Sequence, residues 1–314
     1  MAFTTQNVDH LTRSEVWSSQ LKDVLMDELM ATQYVNWLSE FPDGDTFTIP
    51  SIGEAQVENY TENSGITYAP LDTGEFQFTI TEYLASGIYI TEKAKQDMYY
   101  MNQLVSQFVP KQERAIMEDV EAFILNLQSG QTASTANSIN GASHRFVATG
   151  TNEVFTVADF AKARYALKKA NVPDTDLVAI VDPSVEYTIN TLTNIANVSN
   201  NPHWEGIVSS GVATGMRFVK NVYGFDVYVS NNLADANEQI DSAGPTTAAG
   251  KANMFFSAAS DVTPFIGAWR QMPKVDSEFN KDKQRDEYVV TARYGAKLYR
   301  PENLVCVLSD TDQV

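Results

Sequence analysis

The chain has 314 residues, enough for one large or two medium domains, and 43% are hydrophobic, so a substantial core is available. Its formal net charge of −18 argues against a surface that seeks nucleic acid, and no apolar run approaches the ~18 residues that a membrane span needs. The single cysteine, Cys306, excludes an internal disulfide and predicts synthesis in a reducing cytoplasm; the N-terminal stretch has no basic start followed by an apolar block and does not read as a signal peptide.

The charge is unevenly spread. Residues 1–92 hold 15 Asp and Glu against only Arg13 and Lys22, and no Lys or Arg occurs between Lys22 and Lys93. A stretch with so little countercharge stays solvated or meets basic groups elsewhere.

In chain order, residues 1–12 read as a loose arm. A helix is expected from Ser14, its N-cap, through Val35, with Trp17, Leu21, Val24, Leu25 and Leu29 on one face. Phe41–Asp45 reads as a turn. Thr46–Ser51 alternates, residues 62–75 are polar and turn-rich, and alternation resumes at Phe76 and runs to Ile90, which together predict a long hairpin. Its outer half has too few large apolar groups for a core of its own, so it must lie on something.

Thr91 caps a short helix, Glu92–Gln103. A long amphipathic helix follows, Leu104–Gln128, with Leu104, Phe108, Ala115, Ile116, Val120, Phe123, Ile124 and Leu127 on one stripe. Lys111, Glu113, Arg114, Glu118 and Glu121 are assigned to the outward face. Pro110 costs about 3 kcal/mol inside a helix but little at its first position, so either a shorter helix starts near Pro110 or two pieces meet there. Residues 129–143 read as a flexible polar loop.

Thr156 and Asp159 have the spacing of a capping box before a helix with Val157, Phe160, Ala161, Tyr165 and Leu167 on its inner face. Leu177–Val181 is a short buried strand, and Asp182-Pro183 starts a helix with Tyr187, Ile189, Leu192 and Ile195 inward. Tyr223–Ser230 and Met254–Ala258 are further strands, so residues 151–275 alternate helix and strand as a compact α/β module. In Lys281–Arg300, Tyr288, Val290, Ala292, Tyr294, Ala296 and Leu298 share one strand face. Lys281, Lys283, Arg285, Arg293 and Lys297 share the other, a basic stripe, with Gly295 a candidate bulge. Leu304–Leu308 is a final buried strand.

Chemistry-bearing motifs are missing. His10, His144 and His203 are scattered, Cys306 has no adjacent base, and Gly244–Lys251 fails as a phosphate loop because its glycines are misspaced and Ala252 stands where Ser or Thr is needed. No catalytic residue, cofactor site or metal site is assigned.

The order of these parts resembles the major capsid protein of tailed bacteriophages, the Hong Kong 97-type fold. Local stretches are similar too: GIYITEKAKQD at 87–97, TDLVAIVDPSVEYTINTL at 175–192, YGFDVYVSNNL at 223–233 and DEYVVTARYGAKLYRPENLVCVLS at 286–309. The resemblance implies an α+β fold with an N-terminal arm (1–45), an extended β-hairpin loop (46–90), a peripheral domain (91–150 and 276–314) with a long spine helix starting at Pro110, and an axial α/β domain (151–275). It implies a non-enzymatic subunit that self-assembles into hexamers and pentamers of an icosahedral shell enclosing double-stranded DNA without reading its sequence, with no membrane role. Assembly would occur in the host bacterial cytoplasm, with scaffolding, portal and decoration proteins as partners. The family's loop lies across a neighbouring subunit. Here the acids of that loop, Glu54, Glu58, Glu62, Asp72 and Glu75, are therefore expected to meet Lys281, Lys283, Arg285 and Arg293, with Lys111 and Arg114 on the spine. The loop-lysine crosslinking of some family members is excluded, since no Lys falls between 23 and 92. An encapsulin-like shell holding an enzyme cargo is the nearest alternative, and an acidic hydrolase a remote one.

Overall fold

The computed structural model describes residues 29–39, 46–52, 59, 61–63, 65, 73–97, 101–131, 137–191, 218–236, 240 and 250–311. A 3₁₀ turn at Ala31–Tyr34 leads into strand β1 (Val35–Leu38), followed by β2 (Thr46–Ile52), β3 (Thr73–Thr79) and β4 (Glu82–Thr91). Helix α1 (Glu92–Asp97) and helix α2 (Met101–Asn126) come next, then the short strands β5 (Ser138–Ile139), β6 (Ala142–Ser143) and β7 (Arg145–Val147). Helix α3 (Val157–Lys169), strand β8 (Leu177–Val181), helix α4 (Pro183–Thr191) and strands β9 (Phe218–Val222), β10 (Phe225–Val229) and β11 (Lys251–Ser257) follow. The long strands β12 (Phe265–Asn280) and β13 (Arg285–Leu298) and the short β14 (Val305–Ser309) complete the chain. They form a six-stranded sheet, β7-β14-β11-β8-β10-β9, a four-stranded sheet, β1-β12-β13-β4, and the separate pairs β2-β3 and β5-β6.

The six-stranded sheet is covered on both faces, which is why β8 (LVAIV) and Val305–Leu308 of β14 are continuous apolar runs, with every residue of both strands buried. Ala179, Val181, Phe225, Val227, Phe255, Val305 and Val307 pack on one side with Phe160, Ala163 and Leu167 of α3 and Val185 and Ile189 of α4. Tyr165 and Tyr187, expected inward, are 53% and 58% exposed, because the 3.6-residue period brings Ala163, Ala166 and Val185 to the sheet instead.

The capping box forms. Asp159 is fully buried and its carboxylate accepts from Thr156 N and Oγ1, both at 2.8 Å, and from Thr149 Oγ1 at 2.8 Å. Replacing Asp159 by Ala leaves these donors unpartnered, and a loss of about 2–3 kcal/mol is expected on denaturing the unassembled subunit.

Helix α2 joins the two sheets. Ile116 packs with Val290 and Ala292 of the four-stranded sheet, while Val120, Ile124 and Leu125 enter a core shared by Val178, Ile180, Met254 and Phe256 of the six-stranded sheet and by Phe265 and Tyr294 of the other. Three expectations for this helix change. It runs unbroken through Pro110, because once a helix is nucleated each further turn propagates at little cost, and one missing hydrogen bond need not end it. Ala115 is exposed. Glu121 is fully buried, not outward, and its Oε2 accepts from Met30 N at 2.7 Å.

The arm also differs from the expected helix. Residues before 29, including the Ser14 cap, lie outside the described residues, and Val35–Leu38 is extended, pairing in parallel with Phe265–Ala268 of β12. The domain boundaries shift as well. Residues 145–147 and 305–309, assigned to the peripheral part, hydrogen-bond into the six-stranded sheet, β14 lying antiparallel to β11 and parallel to β7. Residues 265–275, assigned to the axial part, belong to β12 in the four-stranded sheet. The loop range is split too: β2 and β3 pair as a hairpin from Thr46↔Thr79 to Ile52↔Thr73, whereas β4 pairs with β13.

Candidate assembly surface

Helix α2 covers one face of the four-stranded sheet; on the other, the hairpin root lies over Ala268 and Gly295, and the rest is open among the described residues. In β4, Leu84, Ser86, Ile88 and Ile90 are half-buried and lie on the α2 side, where Gln112 Nε2 donates to Ser86 O at 3.2 Å. The alternate residues Tyr83 and Tyr89 are 61% and 59% exposed on the opposite face. Cross-strand register defines that open face as the rows Tyr83–Arg293–Gln271, Ala85–Thr291–Lys274, Gly87–Val289–Asp276 and Tyr89–Glu287–Glu278.

Its distal end carries matched charges. Arg285 Nε donates to Glu287 Oε1 at 2.6 Å and its guanidinium lies 4.4 Å from the Tyr89 ring centre; Lys274 Nζ stands 2.8 Å from Asp276. The Arg285 hydrogen bond holds the Glu287 carboxyl below the usual carboxylate range. Lys95 of α1 pairs with Asp286, and Glu92 N donates to Gln284 O at 2.9 Å, so α1 is fastened to the end of the β12–β13 ribbon.

The hairpin root is fixed at the other end of this sheet. Phe78 and Ile80 are buried with Ala268, and Phe47, Phe76 and Leu38 pack against them. Lys297 Nζ donates to Gln77 O at 3.0 Å, and Phe76 meets Tyr299 edge-on at 5.0 Å. Gly295 is not a bulge, since its pairing with Ala268 lies in an unshifted stretch of the β12–β13 ladder. It permits a close crossing instead: a Cβ there would sit 2.9 Å from Ile80 Cα and 3.1 Å from Thr79 O.

The cations proposed from sequence do not form a single stripe. Arg285 and Arg293 lie on the open face, whereas Lys281 and Lys283 are exposed in the turn between β12 and β13. Lys111 and Arg114 belong to α2, on the covered side, with Arg114 Nε 3.4 Å from Glu118. Among the loop acids, Glu62 is exposed in a turn and Glu75 is exposed on β3, where it accepts from Gln77 Nε2 at 3.0 Å; Glu54, Glu58 and Asp72 lie outside the described residues.

Sequence reasoning missed Arg270. Trp269 pairs with Tyr294 and Gln271 with Arg293, so Arg270 is the extra residue of a β-bulge. It lines a cleft of about 600 Å³ with Thr81, Tyr83, Gln271 and Arg293. Nothing in a single sequence marks a bulge between Trp and Gln; it emerges only from the pairing.

Among the described residues no group of three or more His, Cys, Asp or Glu could hold a metal ion, and no helix is long and apolar enough to cross a membrane. His144 is buried and its pKa is lowered by burial; Cys306 is buried in β14.

Comparison with solved structures places the fold. A structure from Mycobacterium phage Che8 is 15% identical, superposes with a TM-score of 0.70 and covers 95% of this chain and 97% of its own. The capsid of cyanophage P-SCSP1u is 14% identical, with a TM-score of 0.68 over 96% of this chain and 93% of its own. The capsid of an empty GTA particle, computed with C5 symmetry, is 12% identical, with a TM-score of 0.57 over 98% of each chain. No curated protein matches the chain. A family model described as phage capsid protein matches residues 74–307, from β3 to β14. By that match, and by a capsid fold along nearly its whole length, the chain belongs to the phage capsid protein family, as a structural major capsid protein of the virion shell.

Proposed function

We propose that the protein self-assembles into hexamers and pentamers of an icosahedral shell around double-stranded DNA, in the cytoplasm of a host bacterium, with portal, scaffolding and decoration proteins as partners. The observation that carries this reading is the four-stranded sheet, covered by α2 on one face and, among the described residues, open over most of the other. A hairpin with an acidic, base-free tip is rooted beside that open face. The likeness to solved capsids supports assembly into a shell. The four-stranded sheet with α2 would form the peripheral domain and the six-stranded sheet the axial domain.

The hairpin of one subunit lies over the open face of the next. Its acids approach Arg293 and Arg285 there, with Lys281 and Lys283 at the ribbon turn. Exposed ion pairs are worth about 0–1 kcal/mol each, so they set register and partner choice more than stability. Net negative charge keeps enclosed DNA from adhering to the wall.

Electron microscopy of the purified protein tests the assembly: closed shells or capsomers support it, and monomers alone overturn it. Charge reversal of Lys281, Lys283 and Arg285 to Glu is expected to reduce shell yield at low salt, with partial recovery at high salt as repulsion is screened. Unchanged yield would remove the ribbon turn from the contact.

A further inference from the structure

We propose that the outer face of α3 and the β9–β10 turn form a contact surface for a second copy of this chain, with the Tyr223 ring as its anchor and Lys162 and Lys169 facing acidic side chains of that copy. This contact presupposes the shell assembly proposed above, and it lies on a different sheet from the hairpin root.

The turn carries a residue that does not suit it. Val222 pairs with Phe225, so Tyr223 and Gly224 alone connect the strands, at φ of 53° and 87°. Positive φ at both central positions is the requirement of a type I′ hairpin turn, for which Asn-Gly is a preferred pair. A bulky tyrosine is an outlier in that region. Its ring is 47% exposed. Strain retained at a position where another residue fits better points to a use for the side chain.

The strained turn is held from α3. Arg164 Nε donates to Asp174 Oδ1 at 3.1 Å and Nη2 to Oδ2 at 2.7 Å, while Nη1 donates to Tyr223 O at 2.8 Å. Lys168 Nζ lies 2.9 Å from Asp174. The hydrogen bonds from Arg164 and Lys168 hold the Asp174 carboxyl down to about 2, so the clamp stays ionised at neutral pH. A backbone fixed in this way leaves little freedom to lose on binding. An exposed tyrosine on such a support has the character of an interface anchor.

Charge identifies the partner. On α3, Lys162, Tyr165 and Lys169 fall three and four residues apart on one stripe, with Lys168 beside them, and all four are exposed. Lys162 Nζ lies 3.9 Å from the Phe146 ring centre and Lys169 Nζ 5.8 Å from that of Tyr165; neither has an acidic partner among the described residues. Residues 162–174 hold four cations against Asp174 alone, in a chain of net charge −18. The remainder of the chain therefore has a still larger acidic excess, and a second copy presents it to this face. Rings of identical subunits close by head-to-tail contacts of this type, in which one surface meets a different surface on the next copy.

The tests use the full chain. Tyr223→Asn removes the ring and keeps a residue suited to the turn. The subunit is expected to melt at or above the wild-type temperature, while shell yield falls by roughly tenfold or more. K162E/K169E is expected to lower yield by a similar factor, with partial recovery at high salt, and K162R/K169R to retain it. Copies labelled with light and heavy nitrogen are then co-assembled and treated with a carbodiimide, which joins an amine to a carboxylate in contact. A crosslinked peptide pair of mixed isotope that contains Lys162 or Lys169 supports the contact. Wild-type shell yield from Tyr223→Asn overturns it, as does a marked loss of melting temperature in that variant, which would place the role of the ring inside the subunit. Crosslinks from both lysines that are absent or confined to one isotope overturn it as well. Shells formed by K162E/K169E at wild-type yield but retaining less duplex DNA would assign the lysines to nucleic acid and also overturn it. Each of these results leaves the shell reading standing, whereas absence of shells from the wild-type chain overturns both.

Discussion

Gly295→Val is expected to abolish closed shells while leaving most of the subunit folded. Gly295 lies on β13 where the chain crosses from the hairpin root into β4, and even a Cβ would approach Ile80 Cα to 2.9 Å and Thr79 O to 3.1 Å. These are backbone atoms, so no rotamer change relieves the contact. The crossing strand must move, and with it the hairpin, whose root is held by Phe78, Ile80 and Ala268. Overpacking of this kind costs about 1–3 kcal/mol, affordable for a large core but enough to redirect an arm whose far end must find a neighbour. Gly295→Ala should show the same defect in milder form. Denaturation of the subunit gives the stability change, and electron microscopy gives shell yield. Wild-type shells from Gly295→Val would show that the crossing tolerates displacement and that Gly295 has no part in loop placement.

Glu121→Leu should be the most damaging single change in α2. The Glu121 carboxylate accepts from Met30 N at 2.7 Å and lies 3.5 Å from Ser230 Oγ, so it holds the arm, α2 and the segment after β10 together. Leucine leaves buried donors on two other segments unpartnered, at about 1–3 kcal/mol each, so a loss of roughly 3–5 kcal/mol and release of the arm are expected. Glu121→Gln keeps an acceptor and should retain the fold.

The two variants also separate in pH dependence. Burial is the main cause that raises the Glu121 pKa, against the lowering effect of hydrogen bonds from Met30, Ala31, Asn232 and Ser230. The unfolded chain ionises at the ordinary value, so the folded state binds the proton more tightly. The contribution of Glu121 is therefore fully present below the ordinary carboxylate range and is lost as pH rises through the folded value. Wild type minus Glu121→Gln stability should fall across that window, measured by denaturation at a series of pH values. A flat difference would mean that Glu121 is as well solvated folded as unfolded.

Much of the fold was legible in the sequence. Thr156 and Asp159 announced the cap of α3, Asp182-Pro183 the start of α4, and the unbroken apolar runs at 177–181 and 304–308 two buried strands. Each signal is local: a cap needs four residues, and a buried strand needs five without a polar interruption. Alternation in β13 likewise put Val290, Ala292 and Tyr294 inward, and all three are buried.

The assembly surface was only partly legible. Parity placed Arg285 and Arg293 on the face away from the core, but extending the same parity to Lys281 and Lys283 carried it through a turn. Arg270 drew no attention because a bulge is a property of two strands in register. Glu121 read as outward because a carboxylate on an amphipathic helix ordinarily is solvated; only the arm's backbone, folded back across 91 residues of sequence, makes it an inside group. Gly295 looked like a bulge because glycine in a strand signals either a bulge or a close approach, and only the position of Ile80 distinguishes them.

The sequence by itself determined the capped helices, the buried strands, the acidic base-free loop and the absence of a recognisable catalytic motif, since these depend on neighbouring residues and on composition. The tertiary structure alone decided that α2 serves both sheets, that β14 leaves the ribbon to join β11, and that two arginines share a cleft. Those facts depend on which distant backbones lie side by side, and hydrophobic periodicity specifies the face of an element that is buried but not the partner that buries it.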